Sequence, residues 1–104
     1  MSVLSITFHC IKTNIAAWEE FVNESLILMT ENLMDVDQYI LSEVQSDYID
    51  EGKNYNLLLL FSDDEKREEF NKSELLNIIE IIENKFADQI MIFNTSLNSI
   101  TKRI

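Results

Sequence analysis

Apolar and polar positions alternate along residues 3–12, VLSITFHCIK. Leu4, Ile6, Phe8 and Cys10 fall on one side; Val3, Ser5, Thr7, His9 and Ile11 fall on the other. Period two with β-branched residues predicts a strand. Thr13-Asn14 offers a helix cap, after which the spacing changes. Ile15, Trp18, Phe21, Val22, Leu26, Met29 and Leu33 recur at helical intervals, with Glu19, Glu20 and Glu24 largely outside the stripe. That helix is expected to fade over residues 32–35. Residues 38–46, QYILSEVQS, predict a second strand, and SDYIDEGKN supplies a turn in which Gly52 is free to take positive φ. YNLLLLF, residues 55–61, is a third strand. Ser62 and Glu65 fit a capping box at the start of a second helix, interrupted near Asn71-Lys72-Ser73. Its later part gathers Leu75, Leu76, Ile78, Ile79, Ile82 and Phe86 into a wide stripe. Residues 89–97, QIMIFNTSL, predict a fourth strand, which NSITKRI extends or leaves as a frayed end.

The order is βαββαβ. Strands two and three are close in sequence and form an antiparallel hairpin most cheaply. Right-handed crossovers then give an α+β fold, the ferredoxin-like sandwich: a four-stranded antiparallel sheet with two helices on one face. A doubly wound parallel fold needs more strand–helix units. The helices cover one sheet face only, so a lone copy should show strands that alternate apolar and polar. YNLLLLF does not alternate, and Ile90 and Ile92 oppose Met91 and Phe93 in the fourth strand. Roughly six large apolar side chains left wet forfeit on the order of 10 kcal/mol, comparable to the stability of a small domain. The expected cover is a second copy, a homodimer through the open sheet face. The competing reading puts the excess apolar residues beneath the last residues of the chain or in a curled sheet edge.

Composition narrows the classes. The 104 residues suit a single domain, 1–104, and 46% of them are hydrophobic, enough for a packed core. Asp and Glu number 19 against 8 Lys and Arg, a net charge of −11. That balance disfavours nucleic acid and anionic membranes, so neither is an expected partner. Cys10 is the only cysteine, which fits a reducing cytoplasm. No apolar run approaches the ~20 residues of a membrane span, and the start of the chain lacks the pattern of a signal peptide. One glycine and no proline exclude a glycine-rich phosphate loop.

Local sequence adds a resemblance. Lys85, Phe86, Ala87, Asp88, Phe93 and Thr95, in KFADQIMIFNTSL, resemble the signature of a family of short bacterial proteins of unknown function with the ferredoxin-like fold. Trp18 and Phe21, near the start of the first helix, look like the same family's first helix. The family often carries a His-Ile-Pro step further along, where this chain reads Leu26-Ile27-Leu28. The resemblance implies membership of the dimeric α/β-barrel group (antibiotic-biosynthesis-monooxygenase-like), in which two sheets face each other. That group includes oxygenases, haem-degrading enzymes and proteins without known activity.

Candidate chemistry is sparse. His9, the only histidine, shares its strand face with Ser5 and Thr7, so these three point into the proposed inter-sheet space. There they are candidates for binding a small molecule, with His9 the one candidate for a catalytic base. Glu43 is a further ligand-binding candidate if it faces a closed cavity, and otherwise marks a solvent-facing edge. His9 and Cys10 point opposite ways and cannot share a metal, so no metal and no cofactor is expected. Asp63, Asp64 and Glu65 read as a solvated helix start. RNA recognition needs aromatic and basic residues on the central strands, which YNLLLLF lacks. The expectation is a homodimeric binding or structural module without demonstrable catalysis. The alternative is an oxygenase-like, haem-binding or small-metabolite-binding enzyme using a cavity between the sheets.

Overall fold

The structure, a computed structural model, describes residues 1–45 and 52–103. Strand β1 (Ser2–Ile11) leads through a 3-10 turn (Lys12–Asn14) into a helical arm. The arm comprises α1 (Ile15–Phe21), a π-helical segment (Val22–Leu26) and α2 (Ile27–Glu31). Strands β2 (Gln38–Glu43) and β3 (Gly52–Phe61) follow, then helices α3 (Asp64–Lys72) and α4 (Glu74–Phe86), and finally β4 (Ile90–Asn98). The sheet order is β2-β3-β1-β4, and every neighbouring pair is antiparallel. This is the ferredoxin-like sandwich that the order of elements predicts.

Register shows why each strand has its faces. Leu4, Ile6, Phe8 and Cys10 on β1 sit beside Leu59, Leu57, Tyr55 and Lys53 on β3. The four β1 residues, together with Leu57, Leu59 and Phe61, are fully buried beneath the helices. Trp18 anchors that core, with Phe8, Phe21 and Phe86 rings 5.5–5.6 Å away. The buried positions Trp18, Val22, Leu26 and Thr30 recur every four residues. In an α-helix of 3.6 residues per turn, that spacing drifts by about 40° per step. The wider π turn absorbs part of the drift and keeps the stripe over the sheet. Nothing in the local residues VNESL announces it.

Several local expectations change. Strand β3 begins at Gly52 rather than Tyr55, because Lys53 and Asn54 pair with Cys10 and His9. Strand β2 ends at Glu43; Ser46 and the turn residues 47–51 lie outside the described residues. Asp63, not Ser62, caps α3, its carboxylate accepting from Lys66 N at 2.8 Å. Asn14 makes no side-chain cap; its amide donates to Gln89 at 2.5 Å instead. Leu76 falls outside the buried stripe of α4, whose core residues are Leu75, Ile78, Ile82 and Phe86. The expected break near Asn71-Lys72-Ser73 falls at Ser73, between α3 and α4.

Buried Arg67 joins the layers at one end. Its guanidinium donates to Val3 O at 3.0 Å and Leu97 O at 2.9 Å, tying α3 to β1 and β4.

Candidate functional site

The sheet face turned away from the helices has no layer over it among the described residues. Register lays it out in rows. Gln38, Leu60, Val3 and Leu97 form one end, followed by Ile40, Leu58, Ser5 and Thr95. Next come Ser42, Asn56, Thr7 and Phe93, and then His9 between Asn54 and Met91. Apolar side chains therefore fill one end of the face and flank a polar centre of Ser5, Thr7, His9, Asn54 and Asn56. Ile40 and Phe93 are each 58% exposed, and Met91, Leu97 and Val44 are also exposed.

The polar centre is internally bonded. Asn56 Nδ2 donates to Ser5 Oγ at 2.9 Å and Thr7 Oγ1 at 3.3 Å. His9 Nδ1 donates to Asn54 Oδ1 at 2.6 Å. This bond fixes the imidazole, and in the neutral ring Nε2 is then the acceptor nitrogen. Gly52 makes room for that ring: its φ is 157°, and a Cβ there would collide with the Cys10 carbonyl and lie 3.0 Å from His9 Cε1. Ser5, Thr7 and His9 thus come together as their shared strand face predicts. Asn54 and Asn56, their partners, were missed. In sequence Asn54 reads as a turn residue, and Asn56 lies in a run whose leucines dominate. The signal available was parity: both asparagines alternate with Tyr55 and Leu57 on β3.

Glu43 stands apart from this group. It pairs in register with Tyr55, so it points to the helix side of the sheet, at the exposed β2 edge. Lys53 Nζ lies 2.8 Å from Glu43 and 2.5 Å from Glu19 on α1. Tyr55 Oη donates to the same Glu19 carboxylate at 3.2 Å. The hydrogen bond from Lys53 holds the Glu19 carboxyl below its usual range, and the two carboxylates push the Lys53 ammonium well above its own. Burial, then the Glu19 charge, raises the Tyr55 phenol and the Cys10 thiol. These shifts stabilise the charged forms of Lys53 and Glu19 and the neutral forms of Tyr55 and Cys10. The cluster is a fixed electrostatic clasp between helix and sheet edge.

A groove of about 570 Å³ runs along the free edge of β4, lined by Glu83, Ala87, Asp88, Ile90, Met91 and Phe93, among others. Helix α4 stops there because Ala87 turns to a left-handed φ of 54°. Among the described residues, no group of His, Cys, Asp and Glu could hold a metal ion. Nor, among them, is any helix long and apolar enough to cross a membrane.

Sheet order, crossovers and the one-sided helix layer define a ferredoxin-like α+β protein. The chain belongs to the family described as domain of unknown function DUF4286, whose model matches residues 1–100. No curated protein matches it. Among solved structures it is similar to an ethyl tert-butyl ether (EthD) family protein from Bacillus halodurans, with TM-score 0.68 and 10% identity over 91% of this chain and 97% of that one. A dimeric ferredoxin-like protein from an uncultured marine organism gives TM-score 0.67 and 9% identity over 100% and 99%. SnoaB, a cofactor-independent oxygenase from Streptomyces nogalater, gives 0.60 and 9% over 97% and 95%. At these identities the likeness is one of fold.

Proposed function

We propose that this protein is a cytoplasmic homodimeric binding module whose two open sheet faces meet, enclosing the polar centre as a site for a small polar molecule. The observation that carries this reading is the face itself: exposed Ile40, Val44, Met91, Phe93 and Leu97 around a hydrogen-bonded patch of Ser5, Thr7, His9, Asn54 and Asn56. Burying a large apolar side chain is worth about 1.5–3 kcal/mol, so covering five that are roughly half exposed gains on the order of 5 kcal/mol. The polar centre needs partners of its own once water is excluded. A second copy of the patch, or a ligand bearing donors and acceptors, supplies them. A fold neighbour described as dimeric is consistent with this assembly. In this reading Ser5, Thr7 and His9 face the ligand, and Glu43 serves to hold Lys53.

The experiment is amide NMR on dilution. Amides of Thr7, Asn56, Met91 and Phe93 are expected to shift together as copies separate, while Ile78 on α4 stays fixed. Dilution shifts confined to the helix side would contradict the assignment of the interface.

A second reading rests on His9. On the open sheet face its Nδ1 is held by Asn54, and its Nε2 has no hydrogen-bond partner among the described residues, the arrangement a general base needs. An oxygenase-like reaction or haem binding in that space would need the enclosed volume to reach a few hundred Å³. Thermal-shift screening against haem and small metabolites separates the readings: a hit lost in His9→Ala favours this one, and a face packed shut in the dimer removes it.

A further inference from the structure

The groove on the free edge of β4 has apolar walls from Ile90, Met91, Ile92 and Phe93 and two carboxylates, Glu83 and Asp88, at its rim. Neither carboxylate has an ion-pair partner among the described residues, and the adjacent Lys85 is drawn away over the Phe21 and Phe86 rings. The outer edge of β4 has no neighbouring strand, since β1 takes the other side. Such an edge accepts an added strand.

Residues 99–103, SITKR, are the complementary shape and charge. Ile100 is fully exposed, and Lys102 and Arg103 are exposed basic residues in a chain of net charge −11. Ser99 Oγ donates to Met1 O at 3.2 Å, so the segment is tethered at its root and leaves the sheet after it. It cannot fill its own groove. Phe93, the near end of that groove, lies about 17 Å back along β4 at ~3.4 Å per residue. Ile100 stands two residues past Asn98 and reaches at most ~7 Å back, well short of that groove. Stretched outward instead, residues 100–103 reach about 13 Å, more than the ~10 Å between facing sheets.

We infer that residues 100–103 of each copy dock in the β4-edge groove of the other, with Ile100 between the apolar walls and Lys102 and Arg103 against Glu83 and Asp88. The inference rests on the homodimer proposed above. It adds an arm exchange that closes the edge strand and makes each groove incomplete without the second copy.

The test is a charge swap read by sedimentation. Lys102→Glu/Arg103→Glu is expected to weaken the dimer at least tenfold. Glu83→Lys/Asp88→Lys is expected to weaken it by a similar factor, and the four changes together to restore it to within about threefold of the parent. The groove reversal is the diagnostic arm. It moves the net charge towards zero, so generalised repulsion predicts a tighter dimer where docking predicts a weaker one. Thermal unfolding of each variant confirms that these exposed changes leave the monomer folded. A wild-type dimer whose variants all keep the parent affinity, or tighten on groove reversal, overturns the arm exchange and leaves the face-to-face dimer standing. A wild-type monomer overturns both.

Discussion

Leu58 and Leu59 are chemically identical neighbours with opposite surroundings. Leu59 is fully buried beneath the helices, whereas Leu58 lies on the open face between Ile40 and Ser5. Leu59→Asp places a carboxylate in the aromatic and aliphatic core without a partner. It should cost more than about 3 kcal/mol, visible as loss of cooperative unfolding. Leu58→Asp should leave the monomer folded and act on assembly. Gly52 makes a sharper demand on its residue. A side chain there meets both a strained φ and the Cys10 carbonyl, so Gly52→Ala should destabilise by about 1–3 kcal/mol in denaturant unfolding and displace the His9 ring. Glu19 supplies a pH signature. Its folded pKa lies below the unfolded one, so its stabilisation is present above the ordinary Glu range near pH 4.3 and is lost as pH falls through the folded value. Glu19→Gln should therefore show a shallower acid loss of stability than the parent in unfolding midpoints measured from pH 6 to pH 2.5.

Among the elements, what the sequence made legible follows from how local each signal is. Strand β1 carries period two over its whole length, and its faces fell where the alternation put them. Trp18 and Phe21 fall on the helical apolar stripe, and both are buried in the core. The three-residue shift in the start of β3 has a non-local cause: Lys53 and Asn54 look like turn residues and become strand through pairing with β1. The cap of α3 moved by one residue because Ser62 and Asp63 are both competent, and the carboxylate wins the Lys66 amide. The π turn was illegible because only the sheet beneath it demands the four-residue spacing. The polar centre was half legible. Ser5, Thr7 and His9 share a strand, whereas Asn54 and Asn56 join them only through register. Glu43 was placed in sequence but not in space, since the face of a short edge strand depends on its pairing with β3.

For the molecule as a whole, the sheet separates two kinds of surface. The helix side is closed by a continuous core from Leu4 to Ile90. The other side keeps apolar residues at its ends and along the β4 edge, with hydrogen-bonded polar groups between. This division explains why YNLLLLF is apolar at both parities: Leu57 and Leu59 serve the core, and Leu58 and Leu60 serve the open face. Sedimentation of the parent and Leu58→Asp across a wide concentration range tests whether a second copy covers the open face. The expected result is a parent with twice the mass of the 12.2 kDa chain and a folded Leu58→Asp monomer. A parent that stays at single-chain mass at the highest concentration, or a Leu58→Asp variant that dimerises as tightly as the parent, would contradict it.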